Sequence, residues 1–100
     1  MIEICNLRKT KQSEPWDFKV DRTTPLGNTF IMSGESEREW SCNSYERGFN
    51  NLIQHKEPME YLNKLIETYK EYGKLRLFCW CAPKRCHSET IKRYIEETVK

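Results

Sequence analysis

The spacing of apolar side chains changes several times along the chain, and two kinds of spacing predict β-strands. Residues 2–6 and 16–22 alternate apolar and polar positions, which predicts two strands, the second half-buried with one wet face. Residues 75–81 are almost entirely apolar, with Arg76 as the polar exception, as in a strand that is covered on both faces. We therefore expect residues 75–81 to form the central strand of a sheet.

Three other stretches have the spacing of amphipathic helices. Ser36-Glu37-Arg38-Glu39 has the pattern of a capping box, in which Ser36 caps the first helix. Pro58 suits the first turn of the second helix, and Gly73 suits the position that ends it. Residues 88–99 form the third helix, and a short extra strand is expected ahead of the first. The order β-β-(short β)-α-α-β-α predicts a small α/β fold, a partly parallel sheet of about three to four strands with about three helices packed on it.

The length and the charge narrow the classes of function. A chain of 100 residues is the size of a single domain. Because it buries only about two-thirds of its unfolded surface, we expect a ligand at an edge rather than in a large internal cavity. The charges nearly balance, with 17 Lys and Arg against 15 Asp and Glu. Charge therefore neither requires nor rules out a nucleic acid as partner.

The sequence also predicts a location. It has no apolar run of about 18 residues, and Met1 leads straight into the first strand without a basic and apolar leader. We therefore expect a cytoplasmic protein with no membrane partner. Five cysteines in such a chain are expected to be reduced thiols or metal ligands, because disulfide frameworks belong to oxidising compartments.

The densest chemistry lies in the cysteine turn, residues 79–87, with the sequence Cys-Trp-Cys-Ala-Pro-Lys-Arg-Cys-His. It connects the predicted central strand to the last helix, and sites in open α/β sheets form where strands end and helices begin. Cys79 and Cys81 lie two apart on an extended chain and so share a face. Cys86 and His87 fall at the start of the helix, where its dipole favours an anion and lowers the pKa of a thiol.

Three hypotheses account for the cysteine turn. In the first, zinc is bound by four residues of suitable chemistry but unusual spacing, Cys79, Cys81, Cys86 and His87. In the second, a phosphate or nucleotide binds at the helix N-terminus, held by Lys84 or Arg85. This site would work with or without Cys86 as a reactive thiolate, and His87 would be an acid or base or a hydrogen-bond donor. In the third, the cysteines are small buried hydrophobes and His87 caps the helix.

A second candidate lies in residues 22–30. Arg22 can hold a phosphate or carboxylate with two hydrogen bonds, and Asn28 offers a donor and an acceptor to a base or a sugar. The simpler alternative is that Arg22 pairs with a surface carboxylate. In that case Gly27-Asn28 only makes a turn, for which these residue types are common.

Both segments resemble one family. Residues 78–87, Phe-Cys-Trp-Cys-Ala-Pro-Lys-Arg-Cys-His, resemble the C-terminal signature of the domain-of-unknown-function 4326 family, which occurs in phages and bacteria. Residues 22–30, Arg-Thr-Thr-Pro-Leu-Gly-Asn-Thr-Phe, resemble its N-terminal motif, an Arg followed by Leu-Gly-Asn-Pro-Phe. The chain departs from the family at Thr29, where Pro is usual, and at Ser88, where Gly is usual. The resemblance implies a compact α/β domain in which both motifs converge on one site, and it implies no particular reaction.

These residues favour an α/β domain that binds a nucleotide or another phosphorylated small molecule, and that is a candidate enzyme acting through Cys86 and His87. The expected ligand-binding residues are Arg22, Asn28, Lys84 and Arg85, with Cys81 beside them. The alternative is a non-enzymatic phage effector that binds a host protein in the host cytoplasm, with the cysteine turn as a zinc clasp or structural staple. A basic Cys–His pair at a helix start favours the first, and small size with many charged and aromatic residues favours the second.

Overall fold

The computed structural model of the chain describes residues 1–30, 33–81 and 84–99. Its strands, in chain order, are β1 (Ile2–Asn6), β2 (Asp17–Lys19) and β3 (Leu75–Cys79). Its helices are a 3-10 turn (Glu35–Glu37), α1 (Arg38–Leu52), α2 (Lys56–Tyr72) and α3 (Ser88–Thr98). The small α/β fold is confirmed. No helix in the described part of the chain is both long and apolar enough to cross a membrane.

β3 is the central strand of a three-stranded sheet, as its apolar sequence predicts. It pairs in parallel with β1 on one side and with β2 on the other, in the order β1-β3-β2. The sheet is therefore parallel throughout rather than in part, and all three strands end at the same edge. β3 stops at Cys79, so Cys81 lies beyond the strand and not on it.

One face of the sheet carries the core. Leu75 and Leu77 point to it from β3 and are fully buried among apolar residues of all three helices. α2 and α3 both pack against β3, and α3 also contacts β1 and α1. The chief partners there come from the apolar stripes of the helices: Tyr45, Phe49, Leu62, Leu65, Ile91 and Ile95. The core therefore fixes where α3 begins relative to the end of β3.

The opposite face carries a buried ion pair between Asp17 and Arg76. The prediction that this face of the second strand is exposed to water is therefore wrong at Asp17. Asp17 is 8% exposed because it lies beside Arg76 across the β2–β3 pair. The Arg76 guanidinium donates two hydrogen bonds to its carboxylate, of 2.6 and 2.7 Å. The main-chain N–H groups of Ser13 and Glu14 donate two more. A charge at this position is tolerated because it is paired and fully hydrogen-bonded.

The helix ends agree with the sequence in one place and differ in another. Gly73 ends α2 in the left-handed conformation, with φ of 70°, as predicted. The capping box at Ser36 is wrong, because residues 35–37 form a 3-10 turn and α1 begins only at Arg38. The residue before α1, Glu37, instead accepts a hydrogen bond from the main-chain N–H of Ser33.

The second strand is also shorter than expected, because the chain leaves the sheet after Lys19 and turns. Val20 still donates its N–H to the carbonyl of Phe78, and Asp21 then accepts hydrogen bonds from the main chain and side chain of Thr23. No further strand occurs in residues 20–30 or 33–37. Residues 31 and 32, where part of the short extra strand was expected, lie outside the described residues.

Gly27 is required by a close approach of two main-chain segments. A Cβ atom at this position would lie 2.4 Å from the carbonyl oxygen of Asp21 and 2.5 Å from the Cα of Arg22. A Cβ at Gly48, inside α1, would meet nothing within 4 Å. We therefore expect Gly27→Ala to destabilise the fold by about 1–3 kcal/mol. Gly48→Ala should stabilise it by about 0.5–1 kcal/mol, through better helix propensity. Denaturant unfolding of both variants measures this, and equal stability of the two would contradict the packing described.

The Asp17–Arg76 pair predicts an acid-sensitive component of stability. Burial alone would raise the pKa of Asp17, but the hydrogen bonds from Arg76, Ser13 and Glu14 outweigh it and lower the pKa. A carboxyl with a lowered folded pKa stabilises the fold above its unfolded pKa, about 3.9. It loses that contribution as the pH falls through the folded value. Asp17→Asn should therefore cost about 2 kcal/mol at pH 7 and progressively less below pH 4. A pH-independent difference in unfolding free energy would refute the assignment.

Candidate functional site

A pocket of about 100 Å³ lies at the edge of the sheet where the strands end, and both sequence motifs line it. Its walls include residues from each segment that the sequence singled out: Arg22, Asn28, Cys79, Cys81, Cys86 and His87. Residues 82 and 83 of the cysteine turn lie outside the described residues. The pocket is small beside typical ligand pockets of about 300–1,000 Å³, so it suits one charged group or the end of a larger molecule.

A buried hydrogen bond joins the two motifs. The Nε2 atom of His87 contacts the main-chain carbonyl of Val20, just ahead of Arg22 in the chain. A carbonyl oxygen can only accept, so Nε2 carries the proton and donates. Burial lowers the pKa of His87 and, together with the nearby positive charge of Arg22, outweighs the hydrogen bond to Val20 and the charge of Asp21, which raise it. His87 is therefore neutral at pH 7, with Nδ1 unprotonated and 3.5 Å from the sulfur of Cys86.

Three thiols gather behind this histidine. The sulfur of Cys86 interacts with the side chains of both Cys79 and Cys81, and it lies 3.3 Å from the hydroxyl of Ser88. Cys79 and Cys86 are buried, whereas Cys81 is half-buried at the pocket wall. All five cysteines of the chain are free thiols. The expectation that the cysteines carry no disulfide agrees with this structure.

The thiol with the low pKa is Cys81 and not Cys86. Hydrogen bonds from the Cys86 thiol and from Arg38 lower the pKa of Cys81 to about 5. Hydrogen bonds with the side chains of Cys79 and Cys81 raise the pKa of Cys86, and burial adds to the effect. The prediction that the pKa of Cys86 is lowered is therefore wrong. Cys81 ionises first, and the Cys86 thiol keeps its proton and donates it to the Cys81 sulfur in a hydrogen bond.

The first N–H groups of α3, where the sequence predicted a phosphate, donate hydrogen bonds within the protein. The N–H of Ser88 donates to the sulfur of Cys86 over 3.5 Å. The N–H groups of Glu89 and Thr90 donate to the carbonyls of Cys86 and His87. His87 holds the capping position, but its side chain makes no capping bond. The start of the helix therefore faces the neutral thiol of Cys86 and not an anion.

Lys84 and Arg85 contribute less to the pocket than the sequence suggested. Lys84 is exposed and lies 3.5 Å from Glu35. Arg85 lines the pocket but donates to Asn43 over 2.7 Å and lies 3.7 Å from Glu39. Both cations are thus engaged with α1 and the turn before it.

Arg38 was missed by the sequence analysis, where it was only one residue of an expected helix cap. It forms a two-pronged ion pair with Glu35, donates to the main-chain carbonyl of Arg85 over 2.9 Å, and donates to Cys81. No signal in the local sequence could have identified it, because Arg85 and Cys81 lie more than 40 residues away along the chain. Arg38 is therefore the residue that links α1 to the cysteine turn.

The first motif is held in place by α1. The Asn28 side-chain amide donates to the hydroxyl of Ser41 over 2.9 Å, and its oxygen accepts from the N–H of Phe30. The hydroxyl of Tyr45 donates to the carbonyl of Leu26 over 2.7 Å. Asn28 is buried, and its amide is used within the protein. Its contribution to the pocket is made through its main-chain carbonyl, which accepts from Nε of Arg22.

The residues expected to bind zinc do not form a coordination sphere. Among residues 1–30, 33–81 and 84–99, no group of three or more His, Cys, Asp or Glu side chains is arranged to hold a metal ion. Nε2 of His87 is bound to Val20 and its ring packs edge-on against Tyr45 at 5.0 Å, which leaves only Nδ1 as a possible ligand. The four-ligand set therefore does not fit zinc in this arrangement.

Comparison with known proteins gives one match. The model of a protein family described as "Domain of unknown function (DUF4326)" matches residues 5–97. This match covers both motifs, α1, α2, all but the last residue of α3, and most of the sheet. No curated protein and no solved structure matches the chain.

The different ionisation of the two thiols can be read by alkylation. We expect iodoacetamide to modify Cys81 with a pH midpoint well below that of an ordinary thiol, because Cys86 and Arg38 stabilise its thiolate. Arg38→Met should raise that midpoint by about 1–3 pH units, the effect of a neighbouring opposite charge. Arg85→Met removes a pocket cation that donates to Asn43 and lies near Glu39, and it is the matched control. Mass spectrometry of peptides locates the label, and preferential labelling of Cys86 would contradict the assignment.

Proposed function

Because the chain belongs to the DUF4326 family, which is defined as a domain of unknown function, we propose a function from the geometry of the pocket. The domain binds a small molecule through an anionic group, a phosphate or a carboxylate, at the edge where the parallel strands end. Ligands of open α/β sheets commonly bind at this edge. A nucleotide or another phosphorylated small molecule is the class that the pocket suits best.

The position of the Arg22 guanidinium at the pocket, without a carboxylate partner among the described residues, is the observation that supports this proposal. Its Nε donates to the carbonyl of Asn28 over 2.9 Å, which fixes the guanidinium at the pocket. Within residues 1–30, 33–81 and 84–99, no carboxylate forms an ion pair with it. The two terminal nitrogens are thus available for the two-pronged contact that a phosphate or carboxylate makes with arginine.

The charge of the pocket favours an anion for the same reason. Arg22, Arg38 and Arg85 line it against two anions, the carboxylate of Asp21 and the thiolate of Cys81, which is paired with Arg38. That carboxylate is buried and accepts hydrogen bonds from Thr23 and from the indole N–H of Trp80. Burial alone would raise the pKa of Asp21, but these bonds and the charge of Lys19 outweigh it and lower the pKa. Asp21 is therefore a structural anion, and Arg22 is the lining cation without a protein counter-charge.

Trp80 favours a nucleotide among the anionic ligands. Its ring lines the pocket and is 52% exposed, and the Arg8 guanidinium lies 5.8 Å from its centre. The hydrogen bond to Asp21 holds the ring in one orientation. An indole that is fixed at its edge and half exposed can stack a base on the face away from Arg8, which is a sequence-tolerant interaction.

A catalytic function would use the groups beside the bound anion. The thiol of Cys86 lies 3.5 Å from the unprotonated Nδ1 of His87, and Val20 orients the ring from the other side. A nucleophile, a base and a group that orients the base are the parts of a covalent catalytic site. Cys86 is buried, so the proposal for this chain rests on binding.

A second candidate is binding of a host protein, which one surface feature favours. Phe30 and Trp40 are 37% and 49% exposed and pack edge to face, with ring centres 6.0 Å apart. Exposed aromatic side chains are enriched where proteins bind each other. Trp40→Ala would weaken such a complex and would leave anion binding at Arg22 unchanged.

Titration with inorganic phosphate and with adenosine monophosphate tests the anion site. We expect the side-chain Nε–H signal of Arg22 to shift in nitrogen-resolved nuclear magnetic resonance spectra as ligand is added. Arg22→Gln should weaken binding about tenfold or more, since hydrogen bonds to charged groups contribute about 1.5–3 kcal/mol. Arg93→Gln is the matched control, because Arg93 pairs with Glu46 away from the pocket. Equal loss in both variants, or no shift at Arg22, would contradict the proposal.

A further inference from the structure

The sulfur cluster points to chemistry that anion binding does not use. Cys81 is a thiol at the pocket wall, and it contacts a buried thiol, Cys86, that lies against the base His87. We propose that Cys81 and Cys86 form a dithiol pair that reduces small disulfides by thiol–disulfide exchange. This activity does not depend on the anion site at Arg22.

The positions of the two thiols give each a different role. Cys81 is half-buried and borders the pocket, so a disulfide of low molecular weight can reach its sulfur. Cys86 is 3% exposed, so an external disulfide does not reach it first. Attack by a reachable thiolate followed by attack from a shielded thiol is the order that this arrangement permits.

Arg38 stabilises the thiolate of Cys81, which is the form that attacks a disulfide. Its guanidinium donates to the Cys81 sulfur and is also held by Glu35 and by the carbonyl of Arg85. Because it is fixed from three sides, Arg38 stabilises the thiolate without a large loss of side-chain entropy. The opposing charge near Cys81 is that of Glu35, which raises the pKa of the thiol but is itself paired with Arg38.

The proposed exchange has two steps that balance. In the first, the Cys81 thiolate attacks one sulfur of the external disulfide, forms a mixed disulfide and releases the other half as a thiolate. In the second, Cys86 loses its proton and attacks the Cys81 sulfur, which releases the second half as a thiolate. The external disulfide gains two electrons, and the protein loses two and ends with a Cys81–Cys86 disulfide. An external thiol returns the protein to its dithiol form.

His87 provides the proton acceptor for the second step. Before the reaction, the Cys86 thiol donates its hydrogen to the Cys81 thiolate. Once Cys81 is in a mixed disulfide it is no longer an anion, so that acceptor is weakened. Nδ1 of His87, unprotonated and 3.5 Å from the Cys86 sulfur, is then the nearest strong acceptor. The hydrogen bond to Val20 fixes which ring nitrogen is free for this role.

Cys79 is the rival for the resolving position. It is buried at the end of β3, and its side chain interacts with Cys86. A sulfur at the end of a central strand has its backbone fixed by pairing on both sides. Cys86 lies in the connection between β3 and α3 and can move toward Cys81 with less disturbance of the sheet.

Reaction of the reduced protein with bis(2-hydroxyethyl) disulfide, a neutral probe, tests the proposal by mass spectrometry. The wild type should lose two hydrogens and give a Cys81–Cys86 linkage in peptide maps. Cys86→Ser should stop at a stable mixed disulfide on Cys81, and Cys81→Ser should remain unmodified under the same conditions. Cys5→Ser, which changes a buried thiol outside the pocket, is the matched control and should react like the wild type.

The pH dependence of the first step is a second measurement that needs only the wild type. An ordinary thiol gains reactive thiolate about 75-fold between pH 6 and pH 8. Because its neighbours hold Cys81 as a thiolate, its rate should change less than about threefold over that range. A persistent mixed disulfide in the wild type, a linkage to Cys79 in place of Cys86, or a 75-fold pH dependence would each overturn the proposal.

Discussion

The hydrogen bond from His87 to the carbonyl of Val20 is the contact on which the arrangement of the site depends. It is buried and joins the segment that follows β2 to the residue that precedes α3, 67 positions apart. It fixes the protonated nitrogen of the ring, keeps the other nitrogen toward Cys86, and holds the chain that carries Arg22 beside the cysteine turn. Because a carbonyl accepts but cannot donate, the interaction defines the tautomer of the neutral ring, and burial keeps the ring neutral although this hydrogen bond raises its pKa.

The sheet makes this contact possible. β3 is paired on both sides and ends at the same edge as β1 and β2, so the segments that leave the strands meet there. The core under Leu77 sets the position of α3, and Tyr45 and Ser41 of α1 hold the loop of residues 26–30. Gly27 lets that loop lie directly against the main chain at Asp21 and Arg22. Ordinary packing therefore brings two remote motifs together.

The sequence predicted correctly those elements that depend on interactions between residues close together in the chain. The apolar run of β3, the stripe of α2 and the cap at Gly73 follow from spacing and residue type, and they are as expected. Buried Asp17 could not be foreseen, because its partner Arg76 is 59 residues away. Arg38 could not be predicted either, because its partners are also remote in the sequence. Remote contacts likewise explain why Cys81, and not Cys86, has the lowered pKa. The helix dipole and local cations suggested an ionised Cys86, whereas tertiary contacts bury it and place the stabilising cation beside Cys81.

The state of the His87 ring tests the account most directly. Nitrogen chemical shifts of the imidazole, followed by nuclear magnetic resonance from pH 5 to pH 8, report both the protonation state and the tautomer. With its pKa lowered by burial and by Arg22, and with Nε2 bound to Val20, His87 should stay neutral as the Nε2–H tautomer above the ordinary value of about 6.5 and for some distance below it. A His87 ring that gains its second proton near the ordinary value of about 6.5, or that carries its proton on Nδ1, would contradict the proposed organisation of the site.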